Sequence, residues 1–262
     1  MIRSLRDYQK LHLKKYRDQW SLFIAEGKRI CLEALQSNWE IDAAFISGDF
    51  QNDPDLSIIV EKLPLKTPKL QILTTVQFKK LSDTDSPQGI LLVLKKPSAF
   101  LKTNNIVRSF RMLVILDGVR DPGNMGTIIR NADWFGVQAI ITSPDTVDIY
   151  NPKVVRASMG SIFRVNCHES RNIEDTIMEL KKNNVTIIGS SPQAPFDLEN
   201  HRPAFPIAII LGGEAGGISS SIQPLLDVQV QIKKSGQAES LNVAVAAGIL
   251  INYYSRLAEK LN

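Results

Sequence analysis

The stretch MLVILDGVRDPGNMGTIIRNADWFGVQAIIT, Met112 to Thr142, decides the fold class. Met112–Leu116 is an unbroken apolar run of strand length. Asn124–Phe135 repeats its apolar residues (Met125, Ile128, Ile129, Ala132) at helical spacing, and Ala139–Thr142 is a second short apolar run. Strand, helix and strand in that order form one crossover unit. The alternation continues toward the C-terminus. Strands are predicted at Phe163–Val165, Thr186–Gly189, Ile207–Leu211 and Val228–Ile232, and helices at Pro152–Met159, Ile173–Asn183, Ser219–Leu226 and Leu241–Lys260. Strands separated by helices imply an α/β fold with a mostly parallel sheet covered by helices on both faces. Ligands of such sheets sit outside the carboxyl ends of the strands, so the loops that follow strands carry the functional question.

Toward the N-terminus the pattern is less regular. Leu5–Trp20 and Gly27–Ser37 read as amphipathic helices, and Ala43–Ser47, Leu70–Leu73 and Gly89–Leu94 as strands, which makes a small α/β unit. Pro97 and the Asn104–Asn105 pair interrupt any periodicity in the stretch that follows. The expected organisation is therefore a first domain over 1–96, a linker over 97–110 and a second domain over 111–262.

The 262 residues are 44% apolar and 22% charged, which excludes a disordered or fibrous chain. The charge-free run Leu241–Ser255 is broken by Asn242, Gly248 and Asn252 and falls short of the roughly 20 apolar residues of a membrane span. A soluble protein is expected. Asp7, Asp18 and Glu26 among the N-terminal arginines argue against a transit peptide. Cys31 and Cys167 form no C-x-x-C pair, so neither a disulfide framework nor a zinc site is expected, no metal is assigned, and the cytoplasm is the expected compartment. Residues 1–107 hold 16 basic and 12 acidic side chains, whereas 108–262 hold 15 of each, so the net charge of +4 lies wholly in the first part. A basic module beside a neutral one suggests docking of a polyanion such as RNA. On charge alone, a solvated helix face explains it equally well.

Three loops follow strands of the second domain. In LDGVRDPGNMGTIIRNA, Leu116–Ala132, Gly118 and Gly123 have the separation of a nucleotide-binding P-loop. Asn124 and Met125, however, stand where its lysine and hydroxyl residue belong, which argues against an ATPase or GTPase. Gly118, Pro122, Gly123 and Gly126 are expected to bring main-chain amides near a ligand. Arg130, further along the helix, needs an anionic partner or solvent. In IAIILGGEAGGIS, Ile207–Ser219, Glu214 stands where a dinucleotide fingerprint requires glycine, and it is the one charged group of a glycine-lined turn. In IKKSGQAESLNVAVAAGILI, Ile232–Ile251, Ser240 is a candidate helix cap. Asn242 opens a helix that is apolar nearly all round, expected to be buried in the domain or against a partner subunit.

In order and spacing these loops resemble the three signature motifs of the SpoU (TrmH-like) branch of the SPOUT methyltransferases, which methylate the ribose 2′-hydroxyl of RNA. NPKVVRASMGSIFRV, Asn151–Val165, follows the same family, so the resemblance spans nearly all of Arg111–Asn252. FIAEGKRICLEAL and SPQGILLVL resemble the L30e-like substrate-binding domain found in many members. The resemblance implies a trefoil knot in the C-terminal part of the sheet domain, S-adenosyl-L-methionine as cofactor, and a homodimer through the last helix. It implies Arg130, Asn124, Glu214, Ser240 and Asn242 as catalytic-site residues. Leu211, Gly212, Gly213, Ile232, Ser240, Leu241 and Asn242 would surround the cofactor. Arg3, Arg6, Lys10, Lys14, Lys15, Arg17, Lys28 and Arg29 are the candidate RNA phosphate contacts. The expected reaction is methyl transfer to a ribose of large-subunit 23S ribosomal RNA. Transfer RNA is the alternative substrate, and a non-catalytic RNA-binding or ribosome-assembly factor is the alternative of another class.

Overall fold

The computed structural model describes residues 3–50, 53, 54, 57, 59, 61, 63, 69–97, 110–214 and 216–260. Residues 98–109 of the expected linker lie outside these. The helices are α1 Leu5–Gln9, α2 Lys14–Trp20, α3 Lys28–Gln36, α4 Thr75–Leu81, α5 Pro122–Trp134, α6 Pro152–Ala157, α7 Ile173–Lys182 and α8 Val243–Glu259. The strands are β1 Leu22–Glu26, β2 Ile41–Ser47, β3 Leu70–Leu73, β4 Ile90–Lys95, β5 Met112–Asp117 and β6 Ala139–Thr142, followed by β7 Asn166–Glu169, β8 Thr186–Ser190, β9 Phe196–Asp197, β10 Ile207–Gly212 and β11 Val228–Gln231. The chain forms two compact units, Met1–Ala99 with Asp148–Arg164, and Phe100–Val147 with Val165–Asn262.

In the first unit the sheet runs β1-β4-β2-β3, with β4 antiparallel to both neighbours and β2 parallel to β3. Tyr8, Leu11, Phe45, Phe78, Leu81 and Leu91 are part of the core on one side. The single helix expected over Leu5–Trp20 is interrupted. Lys10–His12 is a 3₁₀ turn and Leu13 is extended, because Arg17 Nη1 takes the carbonyls of Leu11 and His12 at 2.7 and 2.8 Å. A continuous helix would have spent those carbonyls on N–H groups four residues on. Two elements were not anticipated. β1 is a short run buried throughout, and α4 starts at a capping box in which Thr74 and Gln77 bond each other's main-chain N–H.

In the second unit the seven strands run β7-β6-β5-β10-β8-β11-β9, and every pairing is parallel. From β5 the chain moves outward through β6 to β7, then returns to place β8 on the far side of β10. The direction of winding therefore reverses around β5 and β10, and their carboxyl ends, Asp117 and Gly212, lie side by side in register. The apolar alternation of β5 puts Leu113 and Ile115 into a core shared with α7 residues Ile173, Ile177 and Leu180. α5 and α8 pack against each other, and α8 against β10. Two expectations fail here. Ser219–Leu226 holds only a 3₁₀ turn at Gln223–Leu225, where Pro224 cannot donate to a continuing helix. Phe163 ends a 3₁₀ turn, and the strand begins only at Asn166.

Candidate active site

The site builds from Asp117, the last residue of β5. Its carbonyl accepts the Gly213 N–H at 2.7 Å and its carboxylate accepts the Ser219 N–H at 2.7 Å, so this one residue ties the loop after β10 to the end of β5. Main chain packs so closely here, between the two loops and within the second, that side chains are excluded. A Cβ on Gly213 would lie 2.2 Å from the Gly118 carbonyl oxygen, and one on Gly212 would lie 1.9 Å from the Gly217 carbonyl carbon. Main chain therefore forms this wall of the site. The amides of the first loop are less available than expected. Gly118 N–H is held by Ser143 and Thr146 hydroxyls at 3.0 and 3.1 Å, and Asn124 N–H by the Asp121 carboxylate at 2.7 Å. Asp121 is the N-cap of α5, followed by Pro122 in its first turn.

That cap sets Asn124 one turn into α5 facing the other two loops. Its Nδ2 donates to Glu214 Oε1 at 2.6 Å, and its Oδ1 accepts from Asn242 Nδ2 at 2.9 Å. Asn242 in turn accepts the N–H groups of Ala244 and Val245 at 2.9 and 3.3 Å and is the N-cap of α8. A single hydrogen-bonded chain, Asn242 to Asn124 to Glu214, thus joins all three loops. The cap expected at Ser240 belongs to Asn242 instead. Ser240 is exposed ahead of the helix and bonded to none of the three.

Residues 232–241 run from the end of β11 to the N-cap of α8, where Asn242 bonds Asn124. Leu211 is buried at the end of β10, Ile232 is half-buried, and Leu241 is exposed. Arg130 is not part of the hydrogen-bonded chain. It lies six residues beyond Asn124 along α5, about 9 Å, is exposed, and has no hydrogen bond or ion pair with any described residue. An unpaired guanidinium on a helix surface is free to meet an external anion.

The helix α8 is not buried all round. Val245 and Ile249 remain 52% and 38% exposed and, with Thr127, Asn131 and Phe135 of α5, line an open groove of about 510 Å³.

Of the candidate RNA contacts in the first unit, Arg17 must be withdrawn. It is 2% exposed and its guanidinium is spent on Asp148, at 2.6 and 2.7 Å, and on two carbonyls, which leaves no group for a phosphate. The others lie at or near the surface. Arg3 lies over the Trp20 ring, and Lys10 and Lys15 over that of Tyr16. Lys28 pairs with Asp53 and Arg29 with Glu33. Asp117, Asp121, Ser143 and Thr146 were missed in the sequence. Only Asp121 had a readable signal, an Asp-Pro pair opening a helix.

Among the described residues no helix is long and apolar enough to cross a membrane. Residues 111–252 match the SpoU rRNA methylase family, and residues 3–92 match the MRM3-like substrate-binding domain. A 23S rRNA (guanosine(2553)-2′-O)-methyltransferase of Bacillus subtilis is 32% identical over 250 residues, 95% of this chain and 94% of that protein. A 23S rRNA (guanosine-2′-O-)-methyltransferase of Nitrosomonas europaea is 32% identical over 66% of this chain and 67% of its own. The structure of an S-adenosylmethionine-bound rRNA methyltransferase of Sinorhizobium meliloti superposes with a TM-score of 0.82 at 26% identity, covering 96% of this chain and 94% of that one. With its three strand-end loops joined through Asn124, and a family match over most of the second unit, the chain belongs to the SpoU rRNA methylase family.

Proposed function

We propose that this protein is an S-adenosylmethionine-dependent ribose 2′-O-methyltransferase acting on 23S ribosomal RNA in the cytoplasm. The observation that carries the reading is the Asn242–Asn124–Glu214 chain at the carboxyl ends of a parallel sheet, in a chain that aligns nearly end to end with a 23S rRNA methyltransferase. The site suits the cofactor chemically. Gly212 and Gly213 present main chain rather than side chains, Leu211, Ile232 and Leu241 supply apolar contacts for a purine ring, and Glu214 offers the carboxylate that a cationic ligand requires. Ser240, exposed ahead of α8, and Asn242 complete the set of residues assigned to the cofactor. The family's trefoil knot is part of this reading, supported by the family match over residues 111–252.

S-adenosylmethionine supplies a methyl group activated by its sulfonium. The protein's task is to hold the acceptor oxygen in line with it, and positioning of this kind supplies up to roughly 7–11 kcal/mol. Arg130 binds the phosphate next to the target ribose and stabilises the negative charge that develops on O2′. The hydroxyl proton passes to that phosphate or to water, because an arginine stays protonated at any working pH. Asn124, Glu214 and Asn242 fix the three loops around these groups. The first unit holds the RNA through Arg3, Arg6, Lys10, Lys14, Lys15, Lys28 and Arg29. The open groove on α5 and α8 is the homodimer interface.

Mapping of 2′-O-methyl sites in total RNA from cells with and without the gene tests the reading. Loss of one site in 23S rRNA is expected. Loss confined to transfer RNA would replace the substrate, and an unchanged map together with no S-adenosylmethionine binding would favour a non-catalytic assembly factor. An Arg130→Lys enzyme with nearly full turnover at saturating RNA would remove the guanidinium from the mechanism.

A further inference from the structure

The first unit encloses a cavity of about 200 Å³ that methyl transfer leaves without a task. Clefts for drug-sized ligands measure roughly 300–1,000 Å³, so this one suits a single ring system. Its walls come from the end of β1, the start of α3, the approach to β4 and the exit from α6. Glu26, buried at the end of β1, is already saturated. Its carboxylate accepts from the hydroxyls of Ser82 and Thr84 and from the Asp83 N–H, which pins residues 82–84 in place.

With that acceptor spent, the cavity is rich in donors. Gln88 gives its Oε1 to the Lys28 N–H at 2.8 Å, which leaves its Nε2 to donate. Arg156 spends Nη2 on Asp83 at 2.9 Å, while its Nη1 is buried without a partner among the described residues. Arg29 reaches the surface beside it. The apolar side is Ile30, buried, and Met159, which is 44% exposed. Met159 holds a left-handed φ of +51° just past the end of α6. Glycine would take this backbone without strain, so the backbone does not select methionine here.

We propose that this cavity is a nucleotide subsite for the RNA substrate. One unstacked base lies against Met159 and Ile30 and turns an edge bearing two acceptors toward Gln88 and Arg156, while Arg29 meets the adjoining phosphate. Guanine, with O6 and N7 on one edge, fits a donor pair; adenine, which mixes a donor with an acceptor there, fits less well. The inference rests on RNA being the substrate class and adds where a base outside the reacting ribose is read.

The test uses the full-length protein and fluorescent ribose-phosphate hexamers carrying one guanine, one adenine or no base. Two variants separate contact from fold. Met159→Gly removes the apolar face and relaxes the backbone, and Gln88→Glu keeps the acceptor for Lys28 N–H but replaces the donor. The guanine hexamer is expected to bind wild type about tenfold more tightly than the abasic one, with adenine between. Both variants should lose that advantage with unchanged melting temperature. Equal binding of guanine and abasic hexamers by wild type, or an advantage that survives both substitutions, overturns the subsite. Inorganic phosphate displacing all three hexamers equally would make the cavity an anion pocket and overturn base recognition. Methyl incorporation into a 23S rRNA transcript, run in parallel on wild type, judges the proposed function separately, because base discrimination is read without turnover.

Discussion

Asn242 performs two tasks with one side-chain amide. Its Oδ1 caps α8 and its Nδ2 holds Asn124. Replacement by alanine therefore mixes a cap loss of about 1 kcal/mol with loss of the site. Asn242→Ser separates them, since serine caps nearly as well but cannot reach Asn124. The serine variant is expected to melt close to wild type yet lose cofactor affinity or turnover, while the alanine variant loses both stability and activity. Calorimetry beside a methyl-transfer assay reads the difference, and full activity in the serine variant would detach the hydrogen-bonded chain from catalysis. Two histidines carry a pH prediction. Burial holds His168 below the ordinary imidazole value of 6.5, and burial with the Arg202 charge does the same for His201. The folded state resists their protonation, so their stabilising contribution is complete above pH 6.5 and is lost as pH falls through the lowered folded values. Melting temperature should decline on acidification below 6.5, and less steeply in a His168→Asn, His201→Asn double variant.

At the scale of elements, α8 shows what periodicity can and cannot say. An almost wholly apolar helix announces that every face is covered, but not by what. The folded chain covers Ala247, Leu250, Ile251 and Tyr254 and leaves Val245 and Ile249 open. If the groove is the proposed dimer interface, Val245→Lys with Ile249→Lys should leave the fold intact and lower the sedimentation coefficient from that of a dimer to that of a monomer; an unchanged coefficient would remove the groove as a dimer interface. The long apolar runs were legible because burial on both faces of a parallel sheet demands them, and Leu70–Leu73 and Ala139–Thr142 are placed to the residue. What failed was decided locally, over a few residues. Arg17 breaks the first helix by taking two carbonyls, and Pro224 limits 219–226 to one turn. Asn124, Glu214 and Asn242 could be named from three loops. Asp117, which ties two of those loops together, sits at the end of an apolar strand and looks like ordinary strand termination.

At the scale of the whole molecule, the charge asymmetry and the discontinuous first unit have to be separated. Arg17 is one of the eight basic residues in the first thirty, but it works inside the fold. It bonds Asp148, while Phe23 packs on Tyr150 and Trp39 on Phe163, so the segment Asp148–Arg164 takes its partners from the first hundred residues. Deleting 1–96 would strip those partners and leave a buried carboxylate unpaired, so a fragment cut there would lose selectivity through misfolding as readily as through lost RNA contacts. Point substitutions avoid this. Arg17→Ala should cost roughly 3–5 kcal/mol of stability, the penalty for orphaning a buried charge, without changing the salt dependence of RNA binding. Arg6→Gln, Lys15→Gln and Arg29→Gln together should do the reverse. Each phosphate contact removed lowers the slope of log affinity against log salt by about 0.7 on single strands and about 0.9 on duplex, so the triple variant should flatten the slope by roughly two to three while its melting temperature stays put. Titrating RNA at several salt concentrations against both proteins decides the matter. A changed slope in the Arg17 variant, or none in the triple variant, would show that RNA approaches a different face of the first unit.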